Sequence, residues 1–130
     1  ALEDGVVLDA RVLREIRVAA QRHPRFAQTV DVFQDEAFLY LVMELVESFT
    51  LKEAVERYAP LAVADALSIC LQILEGLEYL HSHGLIHADL KPSNVVCVSK
   101  KPFVVKLIDL GSMVAVTPDE GDGSGSGGGG

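Results

Sequence analysis

The 130-residue sequence predicts an α+β fold with long helices. Helical and strand patterns follow one another in blocks: a helix, a hairpin, two helices and then short strands. The strand–helix–strand alternation that is typical of a parallel sheet is missing from this order. Hydrophobic residues make up 49% of the chain, so a folded core can form.

The N-terminal part predicts one helix and then two paired strands. Residues 9–22 place apolar side chains at helical spacing, and Pro24 stops the pattern; these side chains are Leu13, Ile16 and Ala20. Residues 27–33 (AQTVDVF) and 37–45 (AFLYLVMEL) suit short strands. The polar letters QDE between them indicate the turn of a hairpin.

Two helices are predicted in the middle of the chain. Thr50 and Glu53 have the spacing of a capping box, which opens a short helix over residues 50–59. Residues 63–84 predict the longest helix, and Gly84 suits the position just after its end. One apolar stripe runs along this helix and consists of Leu67, Cys70, Leu71, Leu74, Leu77 and Leu80.

Two further strands and a tail complete the expected organisation. Residues 94–98 (NVVCV) and 103–108 (FVVKLI) predict strands on either side of the turn SKKP. Residues 119–130 are rich in Gly and Ser and are expected to be a disordered tail or a flexible linker. The folded part is therefore expected to comprise residues 1–118.

The overall composition argues against several classes of protein. A formal net charge of −8 disfavours a nucleic-acid-binding surface, which needs basic side chains. Cys70 and Cys97 form no C-x-x-C pair, so reduced thiols are expected. The N-terminal residues are acidic where a secretory signal is basic, and no apolar run reaches membrane-spanning length. We therefore predict an intracellular, cytoplasmic chain that binds neither nucleic acid nor membrane.

The stretch LIHADLKPSNVV concentrates polar groups between apolar residues. Asp89, Lys91 and Asn94 lie within six positions, and Asp109 follows twenty residues after Asp89. Two carboxylates and an amide are hard oxygen ligands that suit Mg²⁺, and a lysine suits a phosphate. Each of these residues alone also fits a turn cap or a solvated surface side chain. Together, their chemistry favours phosphoryl transfer.

Two motifs carry a resemblance to a known family. HADLKPSN resembles the catalytic loop H-R-D-L-x-x-x-N of protein kinases, and DLG at residues 109–111 resembles their D-F-G turn. The chain is therefore identified as resembling the eukaryotic protein kinase family, in its serine/threonine type because of Lys91 in DLKPSN. The resemblance implies a partial small lobe, made of the αC helix and the hairpin of the fourth and fifth strands. The first part of the helical large lobe follows, within residues 1–118.

The resemblance implies a role for each residue of these motifs. Asp89 would accept the proton of the substrate hydroxyl, and Lys91 would contact the γ-phosphate. Asn94 and Asp109 would hold Mg²⁺. The implied partners are ATP and a protein substrate that offers a Ser or Thr hydroxyl. His87 is expected to be structural, packed beneath the catalytic loop.

The resemblance also implies contacts with the nucleotide. Glu15 matches the αC glutamate that pairs with a strand lysine. Met43 matches the gatekeeper position, and Val96 matches the residue beneath the adenine ring. The hinge that grips adenine would consist of Glu44, Leu45 and Val46.

The sequence departs from the family pattern at several points. Ala88 stands where the catalytic loop has Arg, so a charge-assisted bond to an activation-loop phosphate is impossible there. Leu110 replaces the Phe of D-F-G, which keeps an apolar contact. No V-A-I-K strand, glycine-rich loop or A-P-E motif is found, so we expect the isolated chain to be nearly inactive.

Two alternatives stay open at this point. A pseudokinase, or a kinase-like interaction module without catalysis, is favoured by Ala88 and by the missing lysine. The intact set of Asp89, Asn94 and Asp109 argues against it. A small-molecule phosphotransferase shares an H-x-D loop and a metal-binding Asp, but DLKPSN fits protein kinases better.

Overall fold

A computed structural model describes residues 16–18, 20–46 and 48–116 of the chain. Two α-helices and seven strands are labelled in these residues, together with two 3₁₀ turns. In chain order they are β1 (Thr29–Gln34), β2 (Leu39–Met43), β3 (Phe49–Thr50), α1 (Leu51–Tyr58), α2 (Val63–Ser82), β4 (Leu85–Ile86), the 3₁₀ turn Pro92–Asn94, β5 (Val95–Lys100), β6 (Phe103–Leu107), the 3₁₀ turn Leu110–Ser112 and β7 (Val114–Ala115).

The predicted first helix falls only in part on described residues. Residues 16–18 and 20 are helical, and Val18 is buried. The rest of that prediction, including Glu15, lies outside the described residues, as does the predicted tail at residues 119–130.

The predicted hairpin is confirmed by β1 and β2, which pair in an antiparallel ladder. Asp35 organises its turn, because its Oδ1 accepts hydrogen bonds from the amides of Ala37 and Phe38, at 2.8 and 2.7 Å. The hydroxyl of Tyr40 donates to Oδ2 of the same carboxylate, at 2.8 Å. The Ala37 amide first, and then these other donors, lower the pKa of Asp35.

The predicted capping box opens α1. The Thr50 hydroxyl oxygen accepts from the amide of Glu53 at 3.2 Å, and the Glu53 carboxylate accepts from the amide of Thr50 at 3.1 Å. Two orphan amides at the start of the helix are thereby satisfied. Ala54, one turn in, is completely buried.

The longest helix is confirmed as α2, but its buried face differs from the predicted stripe. Ile69, Gly76 and Leu80 are its buried residues. The predicted stripe includes Leu80, yet three of its members are 58–61% exposed: Leu67, Leu71 and Leu74. The Ile69 face is buried because α2 packs across β6. Among the described residues, the leucine face is left without comparable cover.

The core lies where α2 crosses a three-stranded antiparallel sheet with the order β3–β5–β6. The two predicted strands are confirmed, although β5 starts at Val95 and runs further than expected, to Lys100. A parallel bridge from Phe26 to Leu107 joins the segment before β1 to this sheet. The buried cluster consists of Val18, Phe26, Ala54, Ile69, Leu80, Leu85, Val95, Cys97, Phe103, Val105 and Leu107.

A separate two-stranded ladder of β4 and β7 brackets the loop that carries the motif residues. Gly84, just before β4, has φ of +70°, which is the predicted glycine role after a helix end. Within the described ranges, no helix combines the length and apolar character that crossing a membrane requires.

Candidate active site

The catalytic-loop motif connects the end of β4 to the start of β5. His87 is buried at its base, and its Nδ1 accepts a hydrogen bond from the amide of Asp89 at 3.2 Å. That bond places the ring proton on Nε2, which donates to the carbonyl of Ile108 at 2.9 Å. The predicted structural role of His87 is confirmed, because the ring ties the loop to the segment before Asp109.

Three predicted site residues are brought together around one carboxylate. Asn94 Nδ2 donates to the Asp89 carbonyl at 2.9 Å and to Asp89 Oδ2 at 3.1 Å. Lys91 Nζ lies 3.5 Å from the same Oδ2. No described residue donates a hydrogen bond to Oδ1, and the Asp89 side chain keeps 36% of its exposure. One carboxylate oxygen is therefore held, while the other is free to accept a proton.

The backbone of Ile108, the residue before Asp109, connects Asp109 to the loop that carries Asp89 and Asn94. The amide of Ile108 donates to the carbonyl of Asn94 at 3.0 Å. Together with the bond from His87, this contact fixes both backbone groups of Ile108 against the catalytic loop. Asp109 follows immediately and is exposed.

Two site residues have a backbone that disfavours any residue except glycine. Ala88 has φ of 66° and Asp109 has φ of 60°, both in the left-handed region. Such a conformation costs roughly 1–2 kcal/mol for Ala88, whereas Asp adopts it more readily than most non-glycine residues. Hydrogen bonds made by the adjacent residues, Asp89 and Ile108, hold the chain in it. The strain lies at the two ends of the candidate site.

The donor set suits a hard divalent cation. Because Nδ2 of Asn94 is committed to Asp89, its amide oxygen is the atom left for a ligand. The exposed Asp109 carboxylate is a second oxygen donor. The described residues hold no cluster of three His, Cys, Asp or Glu side chains that could enclose a metal. An ion such as Mg²⁺ would therefore depend on phosphate and water oxygens for its other ligands.

A cavity of about 300 Å³ extends from the β1–β2 hairpin to Asp109. Met43, the predicted gatekeeper, forms part of one wall, and Asp109 lies on the other. The full lining consists of Ala27, Leu41, Met43, Leu107, Ile108, Asp109, Leu110 and Gly111.

The predicted hinge residues line a second, more open cavity of about 460 Å³. Glu44, Leu45 and Val46 face it together with Val98 and Lys106. The Leu45 side chain is 83% exposed, so it makes little packing contact in the described structure. The three predicted hinge residues therefore line the same cavity. Their contact with adenine stays a prediction.

The hinge segment is tied to β6 by an ion pair that sequence reasoning missed. Lys106 Nζ donates to Glu44 Oε1 at 2.6 Å, and the Gln28 amide donates to the same oxygen at 2.9 Å. The hydrogen bond from Lys106, and next that from Gln28, lower the pKa of Glu44. The signal was present as a single charge inside the apolar run FVVKLI.

Val96 lies in the middle strand of the sheet, opposite Thr50 on one side and Lys106 on the other. It is buried, with 7% of its surface exposed. Its place beneath a bound adenine stays a prediction.

Comparisons with known proteins identify the family of this chain. The family model described as protein kinase domain matches residues 3–124. A probable serine/threonine-protein kinase PknB of Lactococcus lactis is 39% identical over 116 residues, covering 88% of this chain and 18% of that protein. The calcium/calmodulin-dependent protein kinase type II of Caenorhabditis elegans is 38% identical over 113 residues, covering 86% of this chain and 15% of that protein.

A third relative is the smooth-muscle myosin light chain kinase of Gallus gallus. It is 39% identical over 90 residues, covering 68% of this chain and 5% of that protein. The chain thus spans less than a fifth of the length of these three relatives. With helices and antiparallel strands that form part of a kinase-like fold, the chain belongs to the protein kinase family.

Proposed function

We propose that this chain carries the catalytic loop and metal-binding turn of a protein serine/threonine kinase. The protein of which it is part would transfer the γ-phosphoryl group of ATP to a Ser or Thr hydroxyl of a protein substrate. The observation that carries the proposal is the Asp89 carboxylate, which Asn94 and Lys91 hold at one oxygen while the other oxygen stays free.

Asp89 is the group that receives the proton. Its Oδ2 is engaged by the Asn94 amide and lies near the Lys91 ammonium, so Oδ1 is the oxygen that meets an incoming hydroxyl. A positioned base of this kind orients the hydroxyl and accepts its proton as the new bond forms.

Lys91 supplies positive charge next to the base. Its side chain is 54% exposed, so the ammonium can leave Asp89 and approach a phosphate without losing a buried contact. A lysine acts on phosphate as a mobile point charge. Lys91 is therefore assigned to the γ-phosphate.

Asn94 and Asp109 are the residues that would hold Mg²⁺, through the amide oxygen and the carboxylate. When bound, the ion supplies charge neutralisation of the phosphate oxygens. Met43, Glu44, Leu45, Val46 and Val96 are proposed to contact the adenine end of ATP, and Glu15 to pair with a lysine of the small lobe.

The first test is phosphate transfer from γ-labelled ATP by the full-length protein and by its Asp89→Asn variant. We expect the variant to lose about 10²–10⁴-fold in turnover, since Asn cannot accept the proton. Asp65→Asn, on the first turn of α2, is the matched control and is expected to keep its activity. Peptides with Ser, Thr or Tyr acceptors, presented in one sequence context, test the hydroxyl class.

Equal turnover by Asp89→Asn and wild-type protein would show that Asp89 is not the base of the reaction. Transfer to Tyr peptides alone would contradict the serine/threonine assignment.

A pseudokinase is the second candidate, and Ala88 is the observation that favours it. No guanidinium is available at this position to bind an activation-loop phosphate. A pseudokinase predicts that the wild-type protein binds ATP, measured by nucleotide displacement, while neither it nor Asp89→Asn transfers phosphate. Transfer that Asp89→Asn abolishes would exclude this candidate.

A further inference from the structure

β6 is the outer strand of its sheet, so one row of its backbone groups points away from β5. An open edge of this kind normally needs water, another strand or side chains to satisfy its amides and carbonyls. In β6 these groups are the Phe103 carbonyl, both polar groups of Val105 and the Leu107 amide. All four have partners from only two residues of the chain.

Gln72, in the middle of α2, forms hydrogen bonds with the first half of this edge. Its Oε1 accepts a hydrogen bond from the Val105 amide at 2.9 Å, and its Nε2 donates to the Phe103 carbonyl at 2.9 Å. The side-chain amide thus pairs with the strand as the peptide group of a neighbouring strand would. Nε2 also donates to the Ser68 hydroxyl at 3.1 Å, which fixes its orientation.

Arg25 forms hydrogen bonds with the second half of the edge. Its Nη1 donates to the Val105 carbonyl at 3.0 Å and also to Gln72 Oε1. Its own carbonyl accepts from the Leu107 amide at 2.7 Å. The guanidinium lies 3.5 Å from the Glu75 carboxylate and is only 14% exposed.

Gly76 allows the helix to come this close to the strand. A Cβ added at Gly76 would lie 2.7 Å from Cδ1 of Leu107 and 3.3 Å from Cβ of Arg25. The first contact is too short unless Leu107 shifts, and the second is tighter than most carbon contacts. The geometry of Gln72 and Arg25 therefore depends on a helix residue without a side chain.

From this geometry, we propose that Gln72 and Arg25 are positioning residues for the metal-binding turn. They fix the register of β6 along its outer edge, and β6 leads through Leu107 and Ile108 directly to Asp109. The proposal rests on the proposed function in one respect, namely that Asp109 holds the metal ion. Neither residue touches the substrate or the ion.

The test compares Gln72→Leu with Gln72→Glu in the full-length protein. Leucine has no hydrogen-bonding group and makes neither edge bond, whereas glutamate keeps an acceptor for the Val105 amide and for Arg25 but loses the donor to the Phe103 carbonyl. Gln34→Leu, at the end of β1, is the matched control. Arg25→Gln is a second disruption, and it keeps the backbone bond to Leu107.

Two readouts do not depend on turnover. Hydrogen exchange of the Val105 amide is expected to accelerate at least about tenfold in Gln72→Leu, and Mn²⁺ affinity in the presence of a non-hydrolysable ATP analogue is expected to fall about tenfold. Both are expected to stay near wild type in Gln34→Leu. Gln72→Glu keeps the Val105 bond but loses the donor to the Phe103 carbonyl, so it is expected to change both readouts less than Gln72→Leu does. Arg25→Gln is expected to weaken Mn²⁺ binding less than Gln72→Leu does. If Gln72→Leu does not fold, Arg25→Gln replaces it in both measurements.

Unchanged Mn²⁺ affinity in Gln72→Leu with faster Val105 exchange would overturn the positioning role. A wild-type protein that binds no Mn²⁺ with the analogue would overturn it too. The wild-type protein could transfer no phosphate while Gln72→Leu still binds Mn²⁺ more weakly than wild type. That result would contradict the proposed kinase activity but support the positioning role.

Discussion

The β1–β2 hairpin and the unit formed by α2, β5 and β6 are stabilised in different ways. No residue from 29 to 46 is buried in the described structure, whereas the α2–β5–β6 unit contains most of the buried cluster. The catalytic loop and Asp109 extend from the second unit. The predicted hinge, at Glu44, Leu45 and Val46, extends from the first.

The difference separates the two halves of the proposed site by the kind of contact that supports each. The residues proposed to handle the proton and the metal are supported by a closely packed apolar core. The proposed hinge residues are joined to that core by polar contacts, in which Glu44 accepts hydrogen bonds from Lys106 and Gln28. Such contacts are weaker and respond to salt and to pH.

The largest contrast is expected from removing one buried and one exposed side chain. Leu107→Ala should lower the free energy of unfolding by about 2–5 kcal/mol, because Leu107 is only 1% exposed and its loss leaves a cavity. Phe38→Ala in the hairpin, where Phe38 is 66% exposed, should cost less than about 1 kcal/mol. Denaturant unfolding followed by circular dichroism measures both. Equal losses would mean that the hairpin has a core of its own.

The close approach of α2 to β6 provides the second test. Gly76→Ala should destabilise the protein by about 1–3 kcal/mol, since the new methyl group would overlap Leu107 and crowd Arg25. Glu78→Ala, on the exposed side of the same helix, is the control and gains helix propensity. A Gly76→Ala protein as stable as wild type would show that α2 and β6 separate at little cost.

The smallest effect on stability is expected from lowering the pH, which protonates Glu44. The hydrogen bond from Lys106 holds the pKa of Glu44 below its ordinary value of 4.5, so the pair stabilises the hairpin above that pH. The stabilisation is lost as the pH falls through the lowered pKa. Because the Glu44 side chain is 38% exposed, the pair contributes only about 0.2–1 kcal/mol.

NMR titration of the Glu44 carboxyl measures this effect directly. In Lys106→Met the titration should shift towards the ordinary pKa, whereas Lys100→Met, at the other end of the sheet, should leave it unchanged. A titration that stays the same in Lys106→Met would assign the lowered pKa to the Gln28 amide alone.

Local patterns predicted much of this fold. The capping box of Thr50 and Glu53 and the hairpin turn depend on neighbours in the sequence, and both are confirmed. The catalytic-loop residues could be placed because their spacing is fixed by the motif, and the contacts of Asp89 with Asn94 and Lys91 follow it.

The face of α2 that is buried could not be predicted in the same way. Apolar residues lie on more than one side of the helix, and only the position of β6 decides which side packs. Gln72 and Lys106 were missed for a related reason. Their roles depend on a strand edge and a hinge that are distant in the sequence, so no local pattern distinguishes them from solvated side chains.

The cavity between Met43 and Asp109 offers a starting point for inhibitor chemistry. A compact apolar ring within its 300 Å³ would touch both the hairpin and the turn at residues 109–111. Methionine is unbranched and adapts its shape to a ligand, and Leu110 presents an aliphatic wall where D-F-G kinases present an aromatic ring. Compounds that depend on stacking against an aromatic ring at this position should therefore bind this protein poorly.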